Sequence, residues 1–456
     1  MNVHFIAIGG SAMHNLAIAL KKKGYEVTGS DDQIFEPSRS RLDQAEILPK
    51  EEGWNPQRIH KNLDAIILGM HARKDNPELK KAMKLGLKIY SYPEYLYEQT
   101  KNKTRIVIGG SHGKTTITSM IMHVLKFHGI PFDYMVGSQL KGFETMVNLE
   151  SDNKLAVFEG DEYLSSPLDP RPKFHHYKPN IAVISGIAWD HINVFPSFKE
   201  YMQQFNRFID TIDNNGTLIY YNQDQTIQKI LKNKNKQINY KPYSAHPSII
   251  KNQKTYLRTK EKEIPVEFFG KHNMENLEAS RLVCSEADIH DDKFYEAIET
   301  FEGAAKRLEC LEKNKMFSLY KDFAHAPSKV QATVKALKEQ YHKNKLIAIL
   351  ELHTFSSLNK DFLSEYRGSM RTADEAIVYY NPDVIAHKQL PPLNVELVKK
   401  AFQQRNLTVF TNKKDIMNYF DQINVNNITI VFMSSGTYAG VDLPKLSEKL
   451  KQKISN

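Results

Sequence analysis

Cysteine is scarce in this chain: Cys284 and Cys310 are the only two in 456 residues. Their spacing fits neither a disulfide framework nor a zinc site. Both therefore read as small buried hydrophobes, and a reducing cytoplasm is the expected compartment. No apolar run approaches the ~20 residues of a membrane span, so no membrane insertion is expected. Residues 3–8 are a strand-like apolar stretch with no charged region and signal core ahead of them, so nothing suggests export. Internal repeats and low-complexity tracts are also missing.

What is present is an ordinary folded composition, 41% hydrophobic and 25% charged, at a length that suits three domains. The net charge of +9 raises the question of nucleic acid. Yet the lysines are scattered, and the densest run, 229–236, lacks interleaved aromatics. That run reads as solvated surface, and no nucleic-acid partner is expected. A positive surplus also suits anionic small substrates such as nucleotides.

The most informative stretch is Arg105-Ile106-Val107-Ile108-Gly109-Gly110-Ser111-His112-Gly113-Lys114-Thr115-Thr116. An apolar strand runs into a glycine turn. Then Ile117, Met120, Ile121, Val124 and Leu125 recur at helical spacing. A strand feeding a glycine loop into a helix N-terminus makes a phosphate cradle, because backbone N–H groups and the helix dipole face the anion. In that arrangement Lys114 reaches the outer phosphates and the Thr115 hydroxyl sits on Mg²⁺. The glycines are closer together than in the usual motif, with only Ser111 and His112 between Gly110 and Gly113.

Ahead of this loop, residues 1–101 alternate short apolar strands with helices, as a parallel nucleotide-binding α/β domain does. The first strand ends at Gly9-Gly10-Ser11, and a second ends at Ser30-Asp31. Ser11, Ala12, Met13 and His14 stand where a dinucleotide fingerprint would need further glycines. A diphosphate at this helix N-terminus remains physically reasonable, whereas a dehydrogenase reading rests on this loop alone.

Residues 102–302 begin with the phosphate loop. The strand Leu155–Phe158 ends on Glu159, followed by Gly160-Asp161-Glu162-Tyr163. A carboxylate at the end of a strand beside a phosphate loop is placed to hold Mg²⁺. The strand at 181–185 leads to Asp190-His191, and His191 is a candidate second ligand. His272, Asn273 and Asn276 open a later helix, where the two asparagines share a face and suit either a purine edge or a cap. Residues 303–456 alternate again. One strand ends in Asp322-Phe323-Ala324-His325-Ala326-Pro327, and the last ends in Ser434-Ser435-Gly436-Thr437. Open α/β sheets bind ligands at such strand C-termini.

Together these motifs resemble the Mur ligases, the ATP-dependent amide-forming enzymes of peptidoglycan synthesis. The resemblance rests on Gly110–Thr116, Glu159–Tyr163, Asp190-His191, His272-Asn273 with Asn276, and Asp322–Pro327, in the family's order across the whole chain. Glu159–Tyr163 running on through Asp169-Pro170-Arg171-Pro172-Lys173-Phe174-His175-His176-Tyr177 is similar to the family's murein tripeptide ligase branch. Gly29–Asp32 and Asn76-Pro77-Glu78 resemble both that branch and the UDP-N-acetylmuramate–L-alanine ligases.

The resemblance implies a three-domain α/β architecture: Rossmann-like 1–101, a central P-loop ATPase domain 102–302, and Rossmann-like 303–456. It implies that ATP and Mg²⁺ are used to join a recycled murein tripeptide to UDP-N-acetylmuramate, with L-alanine as the alternative acceptor. A non-catalytic nucleotide-binding regulator on the same scaffold is a third possibility, and a monomer or weak homo-oligomer is expected. The implied catalytic residues are Lys114, His191 and His325. ATP would be held by Gly110, Ser111, His112, Gly113, Lys114, Thr115, Thr116, His272, Asn273, Asn276, Arg307 and Asp322. The UDP-sugar would meet Gly9, Gly10, Ser11, Ala12, Ser30 and Asp31. Thr115, Glu159 and His191 would hold the metal. Some relatives carry a carbamylated lysine after the Asp-His pair; residues 202–210 contain no lysine. His353 lies in a segment that matches the family's arginine-bearing loop only loosely.

Overall fold

The computed structural model describes residues 1–189, 194–303 and 307–455. The Asp190-His191 pair therefore lies outside the described residues.

The first sheet has four parallel strands in the order Glu26–Ser30, Asn2–Ile6, Ala65–Leu68, Ile89–Ser91. The chain leaves Asn2–Ile6 for a neighbour on one side and returns to the other side. That reversal opens a crevice at the C-terminal end of Asn2–Ile6, where Gly9 and Gly10 stand. A helix, Ser11–Lys22, follows at once.

A second sheet of seven strands repeats the device. Its order is Asn239–Tyr243, Thr217–Tyr221, Ile181–Ile184, Thr104–Gly109, Leu155–Glu159, Phe132–Met135, Val147–Asn148. All neighbours are parallel except the last pair. The reversal falls at Thr104–Gly109, so the phosphate loop emerges between the strand ending in Glu159 and the strand preceding Ser185. Ile106, Val107, Ile108, Ala156, Val157, Phe158, Ala182 and Val183 are fully buried. Parallel strands covered on both faces read as continuous apolar runs, which is why these strands are visible in the sequence.

The C-terminal sheet runs Glu309–Lys313, Phe317–Asp322, Ile428–Met433, Lys345–Leu352, Glu375–Tyr380, Leu407–Phe410. Only Glu309–Lys313 is antiparallel to its neighbour. This edge strand carries Cys310, which is exposed. The expectation that both cysteines are buried therefore holds for Cys284 alone. A three-stranded antiparallel sheet, Ser248–Lys251, Lys254–Arg258 and Glu263–Val266, has no counterpart in the sequence reading. Its first hairpin turns on Asn252 and Gln253, both at positive φ, as a two-residue hairpin turn requires.

By packing, the chain forms two compact units. One holds the first two sheets, with residues 1–244 for the most part and Glu278–Ala297. The other holds Ala245–Leu277 and the chain from Ile298 onward. Among the described residues no helix is long and apolar enough to cross a membrane.

Within the first unit, Arg105 joins the connector after the first sheet to the second sheet. It is 3% exposed and donates to the carbonyls of Thr100, Lys101, Lys103, Tyr177 and Lys178, and to Asp213 at 2.8 Å. Removing a buried guanidinium strands all of these acceptors. Arg105→Leu is expected to lower the denaturation free energy by about 3–5 kcal/mol, measured by urea unfolding.

His175 is also buried. It stacks on Phe174 and bonds the Gln204 carbonyl at 2.8 Å. Burial, ahead of its other interactions, pushes its pKa down to about 4. The unfolded chain then binds a proton that the folded chain refuses between about pH 4 and the ordinary ~6.5. Stability present above pH ~6.5 is therefore lost as the pH falls, by about 2–3 kcal/mol at pH 4.5. His175→Gln should show a shallower loss between pH 7 and 4.5, and an equally steep one would remove His175 as its source.

Candidate functional site

Gly110 sets the geometry of the phosphate loop. Its φ is +128°, and an added Cβ would stand 2.3 Å from Ser185 Oγ and 2.9 Å from Ser185 N. Only glycine lets the loop lie this close to the next strand's exit. Hydrogen bonds then fasten the two segments: Ser111 N donates to the Gly186 carbonyl (2.9 Å), Ser185 N to the Gly109 carbonyl (3.1 Å), and Ala188 N to Ser111 Oγ (2.9 Å). Gly113 takes the left-handed conformation as N-cap of the helix Lys114–Phe127, with no side-chain cap bond. The first turn of that helix thus presents its donors in the manner of an anion site.

Lys114 folds back from the helix start. Its ammonium donates to the Gly110 carbonyl and to Glu162 Oε2, both at 2.7 Å. Burial alone would lower its pKa, but the charges of Glu162, Asp161 and Glu159 outweigh that and hold it above the ordinary lysine value. Lys114 is thus a cation at neutral pH. Thr115 Oγ1 donates to Glu159 Oε1 at 2.8 Å, and Gly137 N donates to Glu159 Oε2 at 3.0 Å. A hydroxyl and a carboxylate side by side at the head of this helix form an oxygen donor set. That set fits a hard dication such as Mg²⁺.

The acidic motif is itself braced. Asp161 pairs with Lys173 at 2.6 Å. Beyond it, Glu94, Asp169 and His176 bring donor atoms within 4.8 Å of one another. The Arg171 guanidinium stands 2.6 Å from Asp169 and 3.7 Å from Glu94. With its charge already between the carboxylates, the cluster reads as a clasp from the helix Tyr92–Thr100 to the 169–177 stretch rather than as a metal centre.

At the first sheet, Gly9 and Gly10 are half-buried and Ser11 is exposed. The helix Ser11–Lys22 likewise lacks a side-chain cap bond at its start. Asp31 turns toward this loop, accepting from Gly9 N at 2.7 Å. Burial first, then the Asp32 side chain, raises its pKa to about 6. Ser30 is fully buried and donates its hydroxyl to Glu78. Ser30 and Asp31 thus shape the loop from beneath.

The other candidates lie in the second unit. Asp322 is buried; it accepts from Leu308 N at 3.1 Å and from the Thr333 hydroxyl. Burial lowers the His272 pKa, partly offset by the Asp322 charge. Asn273 donates to the Phe269 carbonyl at 2.9 Å, and Asn276 lies beside it, donating to Asn273 Oδ1 at 3.5 Å. Arg307 lies over the Phe323 ring at 5.0 Å, and His325 meets the same ring edge-on. Arg307 is therefore seated on an aromatic face. The sequence reading gave no individual role to Glu162, although it stands in the acidic motif, nor to Tyr201 or Ser185, which no motif spacing marks.

Gly110→Ala should weaken ADP binding at least tenfold, since a shift of the loop by ~1 Å misaims every phosphate donor. Calorimetric titration with Mg·ADP measures it, and unchanged affinity would mean the loop tolerates the displacement.

Residues 2–104 match the Mur ligase family catalytic domain, 108–284 the Mur ligase middle domain, and 306–436 the Mur ligase glutamate ligase domain. A UDP-N-acetylmuramate–L-alanyl-gamma-D-glutamyl-meso-2,6-diaminoheptandioate ligase from Haemophilus influenzae is 26% identical over 99% of this chain and 100% of its own length. A UDP-N-acetylmuramate–L-alanine ligase from Caldicellulosiruptor bescii is 31% identical over 82% of each chain. Among solved structures, a murein peptide ligase from Psychrobacter arcticus shares the fold with a TM-score of 0.63 at 22% identity, covering 100% of this chain and 99% of that one. The UDP-N-acetylmuramate-alanine ligase of Thermotoga maritima does so with a TM-score of 0.66 at 18% identity, with the same coverage. The chain therefore belongs to the Mur ligase family.

Proposed function

We propose that this chain is an ATP-dependent ligase that joins the tripeptide L-alanyl-γ-D-glutamyl-meso-diaminopimelate to UDP-N-acetylmuramate in peptidoglycan recycling. The observation that carries the reading is the set Lys114, Thr115 and Glu159 gathered at the switch point of the central sheet. The likeness over the full length of the Haemophilus ligase supports the choice of substrates. The L-alanine ligases are the second reading, favoured by the 31% identity to one of them.

The lactyl carboxylate of UDP-N-acetylmuramate attacks the γ-phosphorus of ATP, forming an acyl phosphate and releasing ADP. The peptide's amine then attacks the acyl carbon. The amine nitrogen gives up a proton to solvent, and the tetrahedral intermediate collapses to the amide as the acyl C–O bond breaks and phosphate leaves with its electron pair. Phosphoryl transfer of this kind needs positioning and charge neutralisation more than an acid or base. Lys114 supplies a fixed positive charge to the transferring group. The N–H groups at the start of the helix Lys114–Phe127 supply partial charges aimed the same way. Thr115 and Glu159 would hold Mg²⁺, which when bound neutralises phosphate oxygens.

His272, Asn273, Asn276, Arg307 and Asp322 are assigned to the nucleotide, and His325 to the reacting groups. Gly9, Gly10, Ser11 and Ala12 are assigned to the UDP-sugar, with Ser30 and Asp31 holding their loop. Domain limits at 1–101, 102–302 and 303–456, a cytoplasmic location and a monomer or weak oligomer complete the reading.

Phosphate release from ATP is measured with UDP-N-acetylmuramate plus either the tripeptide or free L-alanine. Release with the tripeptide alone is expected; release with L-alanine alone would move the enzyme to the second reading. Lys114→Ala should lower turnover at least a thousandfold while leaving UDP-N-acetylmuramate affinity within about twofold.

A further inference from the structure

Glu162 is 1% exposed, and Tyr201 is fully buried. Tyr201 lies on the helix Phe198–Thr211 with its ring packed between Phe195 and Phe205. Its hydroxyl is 3.1 Å from Glu162 Oε1 and 2.8 Å from Ser111 Oγ. The direction of each bond follows from the groups at the two ends. Ala188 N can only donate, so Ser111 Oγ accepts from it. The carboxylate facing the Lys114 ammonium accepts, so the single Tyr201 proton goes to Glu162. Ser111 therefore donates its own proton to the Tyr201 oxygen. The result is one directed chain: Ala188 N–H to Ser111, Ser111 to Tyr201, Tyr201 to Glu162, with Lys114 donating to Glu162 from the other side. It begins beyond the strand Ile181–Ile184, passes through Ser111 of the phosphate loop and a residue 90 positions from it, and ends at the carboxylate that holds Lys114.

We propose that Tyr201 is a positioning residue for phosphoryl transfer. Through Glu162, its hydroxyl fixes the rotamer from which Lys114 addresses the nucleotide, an inference that rests on the ligase reading. The Lys114 side chain has four rotatable bonds. A carboxylate anchored on one oxygen by Tyr201 and offering the other to the ammonium narrows that freedom before nucleotide arrives. Without the phenol, Glu162 keeps its charge but loses its fixed orientation, and Lys114 loses its aim.

The test is a double-mutant cycle with Tyr201→Phe and Glu162→Gln. Phenylalanine keeps the ring packing and removes the one hydroxyl. A hydrogen bond to a charged group sets the scale, so Tyr201→Phe should lower kcat about tenfold to a hundredfold. The KM for ATP should stay within about twofold, because the interaction is made in the transition state. In the Glu162→Gln background the same change should have less than about a twofold effect, since Tyr201 acts through Glu162. A wild-type-like kcat for Tyr201→Phe, or effects that multiply in the double variant, would overturn the inference. Should Tyr201→Phe fail to fold by thermal melting, Glu162→Gln alone carries the test: kcat should fall at least tenfold with the KM for ATP within about twofold, and a wild-type-like kcat would overturn the inference. If the wild type releases no phosphate with either acceptor, the ligase reading falls. The cycle is then read in the nucleotide-free protein from the 15N NMR signal of the Lys114 ammonium, where a shift caused by Tyr201→Phe that vanishes beside Glu162→Gln supports the role of Tyr201 and an unchanged signal removes it.

Discussion

A half-buried ammonium and a buried carboxylate, Lys114 and Glu162, stand 2.7 Å apart, and much of their surroundings serves to make that pair tolerable. Taking either charge out of water alone would cost several kcal/mol. Each is instead given a second partner: the Gly110 carbonyl for the ammonium and the Tyr201 hydroxyl for the carboxylate. The fold thereby keeps a full positive charge in a water-poor place at the head of a helix. In such a place a positive charge acts on a nearby anion more strongly than a fully solvated one does.

The sheets supply the geometry. Both glycine loops of the first unit leave their sheet at the strand where its order reverses, so backbone and helix dipole converge without any special side chain. The two loops differ in what lies beneath them. Asp31 accepts from Gly9 N under the first loop, whereas Ser185 and Gly186 brace the second through backbone contacts. Burial and the neighbouring Asp32 side chain raise the Asp31 pKa, so the charge beneath this loop is partly suppressed near neutral pH. The second loop carries Lys114, whose ammonium is paired with the Glu162 carboxylate.

The parallel strands were legible because burial on both faces leaves an unbroken apolar signature; the strand expected over Leu155–Phe158 and ending on Glu159 is found at Leu155–Glu159. The three-stranded sheet at 248–266 was not legible. Its strands are short and half-exposed, with Lys251, Lys254, Arg258 and Glu263 on the surface, so neither period stands out. Cys310 was misread for a related reason: an edge strand of sequence ECLEK buries little on either face.

By itself the sequence determined the phosphate loop, the acidic motif at the end of its strand, the alternating α/β plan and the family. Those features are written locally, in glycines, apolar runs and motifs a few residues long. Only the tertiary structure decided which carboxylate takes which partner: Glu159 with Thr115, Asp161 with Lys173, Glu162 with Lys114 and Tyr201. It also decided that Ser30 and Asp31 face inward. Tyr201 and Glu162 are 39 residues apart, and their meeting depends on the order of strands in a sheet. That order is fixed by packing the whole domain and has no local signature.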